Sequence, residues 1–459
     1  MRPTTAWRFV WRRGLRVIVL FAASALASGA WAVDLIGYLP YYRMNASYNA
    51  NVLPRQLAML DEIRYFGLTA GSNGSIVPLS DSGSVTTNLG RIATIRQAIE
   101  AMPEAERPRL NITLGGAGEA ANFAAVAASA TLRATLAQNI DALLDQTGAT
   151  SVDIDWEHPS AGIERTTHYP ALLARIKEEI GPDRRVYATV APSVVINNSV
   201  FTGPNAVDGV SLMTYDLGWW GNDPGNPFAG EHSLPEYVVD AVNAWTEPPG
   251  SQNDRPWVFG TWGNNAPAEM LGVGMPFYGR NIHGSTAYTY AELVGSGTTT
   301  DGNYYSYNGQ TVWVLDPELA AARAEFAHDR GLKNIIIWEL AQDLPPSHPD
   351  SLLRAAFEKL QSLQPIPGDY DGDGEIGLSD YELWGSTFGF TSGDLRADGN
   401  GDGIVDAADY TFWRDRVTPT SGSAAIAQAV PEPTAAAMVV VIVGMGVCAR
   451  RIRRREPRA

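Results

Sequence analysis

Val152-Asp153-Ile154-Asp155-Trp156-Glu157 is the stretch of this chain on which both fold and chemistry turn. Apolar Val152, Ile154 and Trp156 alternate with acidic Asp153, Asp155 and Glu157. Side chains on a strand repeat every two residues, so the three carboxylates share one face and the three apolar groups the other. If the acidic face points into a barrel, repulsion and poor solvation raise at least one carboxyl pKa and keep a proton available. A protonated carboxyl beside an ionised one can cleave a glycosidic bond. A half-exposed strand or a metal site would use the same short pattern.

Outward from this stretch, residues 33 to about 363 alternate short apolar runs with longer segments of helical periodicity. Strands are expected at 34–41, 62–68, 110–114, 151–156, 185–191, 209–214, 271–277 and 334–339. Amphipathic runs at 89–102, 132–146, 169–180 and 317–330 fall between several of them. Eight such strands predict an α/β fold, a (β/α)8 TIM barrel, with a doubly wound sheet as the alternative. In a barrel the chemistry gathers at the C-terminal ends of the strands.

Four further motifs stand in register with the acidic strand. They are Thr113-Leu114-Gly115-Gly116 on the third expected strand, Met213-Thr214-Tyr215-Asp216 on the sixth, Pro276-Phe277-Tyr278-Gly279-Arg280 on the seventh and Trp338-Glu339-Leu340 on the eighth. In order and spacing the set resembles glycoside hydrolase family 18 along essentially all of residues 34–363. Residues 281–314, with Tyr307-Asn308-Gly309, look like a shortened form of the small α+β domain that many members insert after strand seven.

The resemblance implies retaining hydrolysis after N-acetylglucosamine, with the substrate's own acetamido group as nucleophile and no metal required. On that template Glu157 is the general acid, Asp155 holds the acetamido N–H, Asp153 adjusts the proton distribution, and the Tyr215 hydroxyl donates to the acetamido carbonyl. Met213 and Asp216 would shape the sugar site and Trp338 would form its floor, with Tyr38, Gly115 and Gly116 in the substrate-binding set. Trp219 and Trp220 either stack on more distant sugars or pack into loop core; Tyr38, Tyr41 and Tyr42 are read with the same two alternatives, and His158 has a spacing role. Chitin or chito-oligosaccharides lead as substrate. Peptidoglycan or the N-glycan chitobiose core would use the same chemistry, and a non-catalytic chitin-binding protein is the rival class. The intact set of Glu157, Asp155, Asp153 and Tyr215 argues for an enzyme. This chain departs from the family pattern at Thr150, Ser151 and Thr113, where Asp, Gly and Ser are usual. Altered pKa tuning is expected there, not loss of activity.

Near the C-terminus one pattern occurs twice, offset by 29 residues: Asp369-x-Asp371-x-Asp373-Gly374 with Asp380, and Asp398-x-Asn400-x-Asp402-Gly403 with Asp409. Oxygen-bearing side chains fall at positions 1, 3, 5 and 12 of a calcium loop, and Glu375 and Ile404 stand at position 7, where the main-chain carbonyl serves. Each loop runs into a helix bearing a Tyr and a Trp, Tyr381 and Trp384 or Tyr410 and Trp413. This predicts a small all-α module with two structural Ca2+ ions. Paired loops with Asp at position 12 resemble the dockerin module, which implies a cohesin-type domain as candidate partner.

Residues 2–16 carry five arginines and no acid, an apolar run follows, and Ala30-Trp31-Ala32 reads as a cleavage signal. Residues 1–32 are therefore expected to be a secretory signal peptide, with Arg12-Arg13 too weak to choose the export route. Pro431-Glu432-Pro433, a 15-residue apolar run and an arginine cluster close the chain. The order resembles the bacterial PEP-CTERM sorting signal; a plain membrane anchor is the alternative. The expected plan is signal peptide 1–32, barrel 33–363, calcium module 364–418, linker 419–430 and sorting signal or anchor 431–459, in an exported protein that is either secreted or associated with the cell envelope, its tail able to anchor it in the membrane before processing.

Composition sets the outer bounds. Of 459 residues 45% are hydrophobic and 18% charged, with a net charge of −16. Setting aside the eleven arginines and Glu456 of the two ends leaves −26 over residues 33–448. Such a balance excludes a nucleic-acid partner, which needs basic clusters. The single Cys448 excludes an intramolecular disulfide.

Overall fold

The alternation that predicts eight strands closes into a barrel. The structure, a computed structural model, describes residues 33–217, 231–251 and 264–417. Trp219, Trp220, the two terminal signals and the linker lie outside the described residues. The strands are β1 (Asp34–Pro40), β2 (Glu62–Ala70), β3 (Ile76–Pro78), β4 (Arg109–Gly115), β5 (Ser151–Asp155), β6 (Arg185–Val190), β7 (Gly209–Leu212), β8 (Leu271–Pro276), β9 (Tyr278–Asn281), β10 (Ala287–Thr289), β11 (Thr298–Asp301), β12 (Tyr304–Tyr307), β13 (Gln310–Trp313) and β14 (Asn334–Trp338).

Eight of them pair in parallel in the order β1-β2-β4-β5-β6-β7-β8-β14, and β14 returns to β1 with Asp34 opposite Asn334. That closure excludes the doubly wound sheet, whose parallel strands would leave edges. The seven-residue β1 and the five-residue β14 lie within a residue or two of the expected runs. β7 stops two residues early because Thr214 Oγ1 accepts from Gly274 N at 2.8 Å, taking a place in the ladder that a backbone carbonyl would hold.

Helices pack outside. Their starts are fixed by side-chain caps that satisfy otherwise unpaired N–H groups. Ser84 caps Val85–Glu100, Ser129 caps Ala130–Thr147 and Asp316 caps Pro317–Asp329. Gly148, at φ 72°, ends the second of these in the left-handed conformation glycine favours. On β5 the outward Val152, Ile154 and Trp156 join the apolar core between strands and helices, where Trp156 stacks on Phe123 at 5.9 Å and meets Tyr169 at 5.1 Å. The inward face carries the acids, as the period of two requires.

After β8 the chain makes a five-stranded antiparallel sheet, order β10-β9-β13-β12-β11, with the helix Tyr290–Ser296. This is the small α+β insertion expected at 281–314. Asn308 and Gly309 both take positive φ, 50° and 73°, as a tight hairpin between β12 and β13 demands.

A separate unit begins at Pro365. Its two helices, Leu378–Thr387 and Ala407–Arg414, are joined by a core of Tyr370, Trp384, Ala397, Val405, Tyr410 and Trp413. The internal repeat shows in its bonds: Trp384 Nε1 donates to Asp406 O at 2.7 Å, and Trp413 Nε1 donates to Gly377 O at 3.1 Å. Donors and acceptors are each offset by the 29 residues of the repeat, so each half clasps the loop of the other.

Candidate functional site

β5 delivers Asp153 into the barrel, Asp155 to its C-terminal end and Glu157 just beyond. Asp153 is fully buried. Its Oδ2 accepts from Tyr38 OH at 2.7 Å and Thr113 Oγ1 at 3.3 Å, and its Oδ1 accepts from Thr189 Oγ1 at 2.9 Å. Arg64 Nη1 lies 3.2 Å from the same Oδ1. Asp155 is 3% exposed, and its Oδ1 has no hydrogen-bond partner among the described residues. Glu157 is the most accessible of the three, with a quarter of its side chain exposed.

This placement separates the acids electrically. Burial raises the Asp155 carboxyl well above its usual range, the charges of Glu157 and Asp153 add to that, and Arg64 opposes it. Burial, and then the charge of Asp216, pushes Glu157 up to about 7. An acid with that pKa holds a proton to give near neutral pH and can take one back. His158, 3.9 Å from Glu157, is lowered by burial and then by Arg165, and so is neutral where Glu157 works.

An open cleft of about 450 Å³ lies over the acids. Asp155, Glu157, Met213, Tyr215, Asp216 and Trp338 line it, together with Tyr38. Trp338 is held edge-on by Phe66 at 5.3 Å and tilted against Tyr38 at 5.5 Å, leaving it partly exposed as a floor. Tyr215 packs edge-on to Tyr278 at 6.3 Å. Asp216, at φ 60°, is clamped by the Nε–Nη2 edge of the Arg280 guanidinium and accepts from Tyr278 OH at 2.8 Å. Bonds from His232 and Arg280 hold its carboxyl below the usual range despite burial.

Three sequence expectations change. Gly115 and Gly116 are buried and do not line the cleft; Ala117 does. A Cβ on Gly115 would stand 1.9 Å from the Asp155 carbonyl oxygen, and one on Gly116 2.5 Å from the Phe66 ring. Their part is to let β4 and the end of β5 approach closely, with Gly116 N donating to Asp155 O at 2.8 Å. Tyr38 reaches the cleft, but its hydroxyl is committed to Asp153 and Thr189. Tyr41 and Tyr42 pack edge to face away from the cleft lining. Of the departures, Thr113 makes the hydroxyl contact to Asp153, Ser151 Oγ donates to Glu62 Oε2 at 2.9 Å, and Thr150 is exposed.

Sequence reasoning missed Glu62, Arg64, Thr189 and His232, and quoted Arg280 in a motif without giving it a role. Glu62 and Arg64 were visible in one respect, since both are charged at alternate positions of an apolar strand.

In the repeated loops the acidic side chains turn back on backbone N–H groups. In the first, Asp369 accepts from the N–H groups of Gly372, Asp373 and Gly374 at 2.7, 3.2 and 2.8 Å. Asp371 accepts from Asp373 N, and Asp373 from Glu375 N. Carboxylate oxygens of Asp369, Asp371 and Asp373 lie within 4.8 Å of one another. Buried Asp380 accepts from Tyr370, Asp371 and Gly377 N–H groups. The second loop repeats this at Asp398, Asn400, Asp402 with Ile404, and Asp409. Two contacts differ: Asn400 Nδ2 donates to Asp402 Oδ2 at 3.0 Å, and the Tyr370 N–H bond to Asp380 has no counterpart at Asp409 among the described residues. An all-oxygen set of converging carboxylates fits a hard divalent cation such as calcium. Among the described residues no helix is long and apolar enough to cross a membrane.

A closed parallel barrel with a pair of carboxyls raised by burial at the C-terminal end of one strand, opening on an aromatic-floored cleft, defines a barrel glycoside hydrolase. Residues 38–343 match the family described as Glycosyl hydrolases family 18, and the chain belongs to that family. Endochitinase 1 of Metarhizium anisopliae is 23% identical over 401 residues, covering 75% of this chain and 92% of that protein. Among solved structures, the GH18 chitinase ChiB from the chitin utilization locus of Flavobacterium johnsoniae matches with a TM-score of 0.54 at 22% identity, covering 72% and 94% of the two chains. The chitinase-like agglutinin RobpsCRA of Robinia pseudoacacia matches with a TM-score of 0.51 at 18% identity, over 71% and 99%.

Proposed function

We propose that the barrel hydrolyses β-1,4 linkages after N-acetylglucosamine in chitin or chito-oligosaccharides, with retention at the anomeric carbon. The observation that carries this reading is the pair formed by Glu157, with a pKa of about 7, and Asp155, whose Oδ1 is unpartnered beside the cleft. The family membership and the endochitinase relative support the substrate class.

In this reading a sugar ring lies on Trp338. Glu157 gives its proton to the glycosidic oxygen as the acetamido carbonyl oxygen attacks the anomeric carbon, so the leaving sugar departs neutral and a cyclic oxazolinium forms. Asp155 accepts the acetamido N–H, and its negative charge offsets the developing positive one. The Tyr215 hydroxyl donates to the acetamido oxygen and aligns it. Glu157, now ionised, removes a proton from water as the water opens the ring from the opposite side. Proton NMR of products from chito-oligosaccharides tests this: the first anomer released should be β. An initial α-anomer or no hydrolysis overturns it.

The C-terminal loops bind two Ca2+ ions with a structural role. Asp369, Asp371, Asp373 and Asp380 with the Glu375 carbonyl form one site, and Asp398, Asn400, Asp402 and Asp409 with the Ile404 carbonyl the other. Converging oxygens and the 29-residue repeat support this reading. The dockerin resemblance names a cohesin-type domain as partner. The arginine-rich start and the Pro-Glu-Pro tail support export and attachment at the cell envelope. Calorimetry on the whole protein should show two calcium sites.

A further inference from the structure

Arg323 is a buried cation outside the cleft. It stands on the inward face of the helix Pro317–Asp329, among Ala320, Ala324 and Ala327, and is 5% exposed. Burial lowers its guanidinium to about 9, and among the described residues no carboxylate opposes that shift. An apolar side chain would fill the space beside the alanines at lower desolvation cost. What an apolar side chain lacks is donors.

Arg323 Nη1 donates to Ser233 Oγ at 2.8 Å and to Gly274 O at 2.9 Å, and Nη2 donates to Ser233 O at 2.7 Å. These acceptors lead to one place. Ser233 Oγ donates in turn to Thr214 O at 2.6 Å. Thr214 Oγ1 donates to Gly274 O at 2.8 Å, so the guanidinium and the threonine share that carbonyl. His232, next to Ser233, accepts from Asp216 N on Nδ1 at 3.3 Å and from Leu217 N on its carbonyl at 2.9 Å. Thr214 and Asp216 are thus both tied to the pair His232–Ser233, and Tyr215 stands between them. The Tyr215 ring also rests directly on the backbone of β8, since a Cβ added to Gly274 would lie 2.6 Å from ring atom Cε1. His232, Ser233 and Thr214 are fully buried, so water is no substitute for these bonds.

We propose that Arg323 is a positioning residue for the reaction: through Ser233 and Gly274 it fixes the Tyr215 ring, and with it the hydroxyl that aligns the acetamido oxygen. The proposal rests on the hydrolytic reading given above.

Without the guanidinium, Ser233 and Gly274 lose the donor that joins them, and the Tyr215 hydroxyl should move away from the acetamido oxygen. Arg323→Met should therefore lower kcat on chito-oligosaccharides by about tenfold or more while KM stays within about twofold. Arg323→Lys, a point charge that cannot match the fork of a guanidinium, should recover part of the loss. The decisive readout is a double-mutant cycle. Tyr215→Phe removes the hydroxyl, so adding Arg323→Met to it should cost no more than about twofold further in kcat. Losses that multiply in full overturn the proposal, as does a variant that loses melting temperature and keeps its kcat. Should Arg323→Met fail to fold, Ser233→Ala carries the same cycle, because it leaves the bonds from Arg323 to both carbonyls in place. Its expected loss in kcat is about threefold, again absent in the Tyr215→Phe background. A second measurement needs no turnover. With ring-13C-labelled tyrosine, and the Tyr215 signal assigned by its absence in Tyr215→Phe, that signal should shift in Ser233→Ala. An unmoved signal overturns the proposal. Failure of the wild-type protein to hydrolyse the oligosaccharide would instead break the hydrolytic reading and leave the spectroscopic test standing.

Discussion

Asp153-x-Asp155-x-Glu157 and Asp369-x-Asp371-x-Asp373 are nearly the same text, three acids at every second position. In the barrel they stand on a strand, inside a closed sheet, at 0% and 3% exposure for the two aspartates. There water cannot screen them: burial raises the Asp155 carboxyl, and the Arg64 guanidinium lies 3.2 Å from Asp153. In the C-terminal unit the acids bend around a loop whose N–H groups face them, and Asp371 and Asp373 are open to solvent. There three converging carboxylates form a set that could hold a cation. One spacing serves proton chemistry in the barrel and, in the calcium reading proposed above, metal binding in the loops, according to the backbone beneath it and the solvent above it.

That contrast can be broken by experiment, most sharply at the general acid. Glu157→Gln should lower turnover on a chromogenic chitobioside by about 10³–10⁴-fold while oligosaccharide binding and calcium uptake persist. Full activity in this variant would move the proton chemistry elsewhere. Asp369→Ala with Asp398→Ala should erase both calcium transitions in calorimetry yet leave hydrolysis within about twofold, since the loops take no part in proton transfer. A collapse of hydrolysis would show that the two acidic groups are not separate in function.

A smaller effect is expected at Asp216, whose charge helps raise Glu157. Without that charge Glu157 loses its proton more readily, so Asp216→Asn should move the alkaline limb of kcat to lower pH by about one unit. An unmoved limb would assign the raised pKa to burial alone. The smallest effect is on stability. Glu157 rises from 4.5 to about 7 on folding, so the folded barrel binds this proton more tightly than the unfolded chain. The stability gained is present below pH 4.5 and lost as pH rises through 7. Glu157→Gln, which never ionises, should therefore melt at the wild-type temperature at pH 4 and about 2–4 °C above it at pH 8. An equal gap at both pH values would mean the gain is not electrostatic.

Much of this was legible in the chain. A period of two put Asp153, Asp155 and Glu157 on one face, and five motifs in register placed Tyr215, Asp216 and Trp338 around them. The same motifs misled at Gly115 and Gly116: a motif records that two glycines are needed but not whether a sugar or a neighbouring strand comes close. Glu62, Arg64 and Thr189 were out of reach, although two of them break an apolar strand, because their meaning depends on β2 and β6 flanking β1, β4 and β5 around the closed barrel.

By itself the sequence determined what depends on local spacing: the strand period that gathers the acids, the loop positions that gather oxygens, and the order of barrel and repeat. Only the tertiary structure decided that the Asp155 and Glu157 carboxyls are raised. That property depends on burial and on charges brought from distant strands, such as Arg64 at 3.2 Å from Asp153 and Arg280 clamped on Asp216. Coulomb interactions act through space, and the barrel's closure sets those distances.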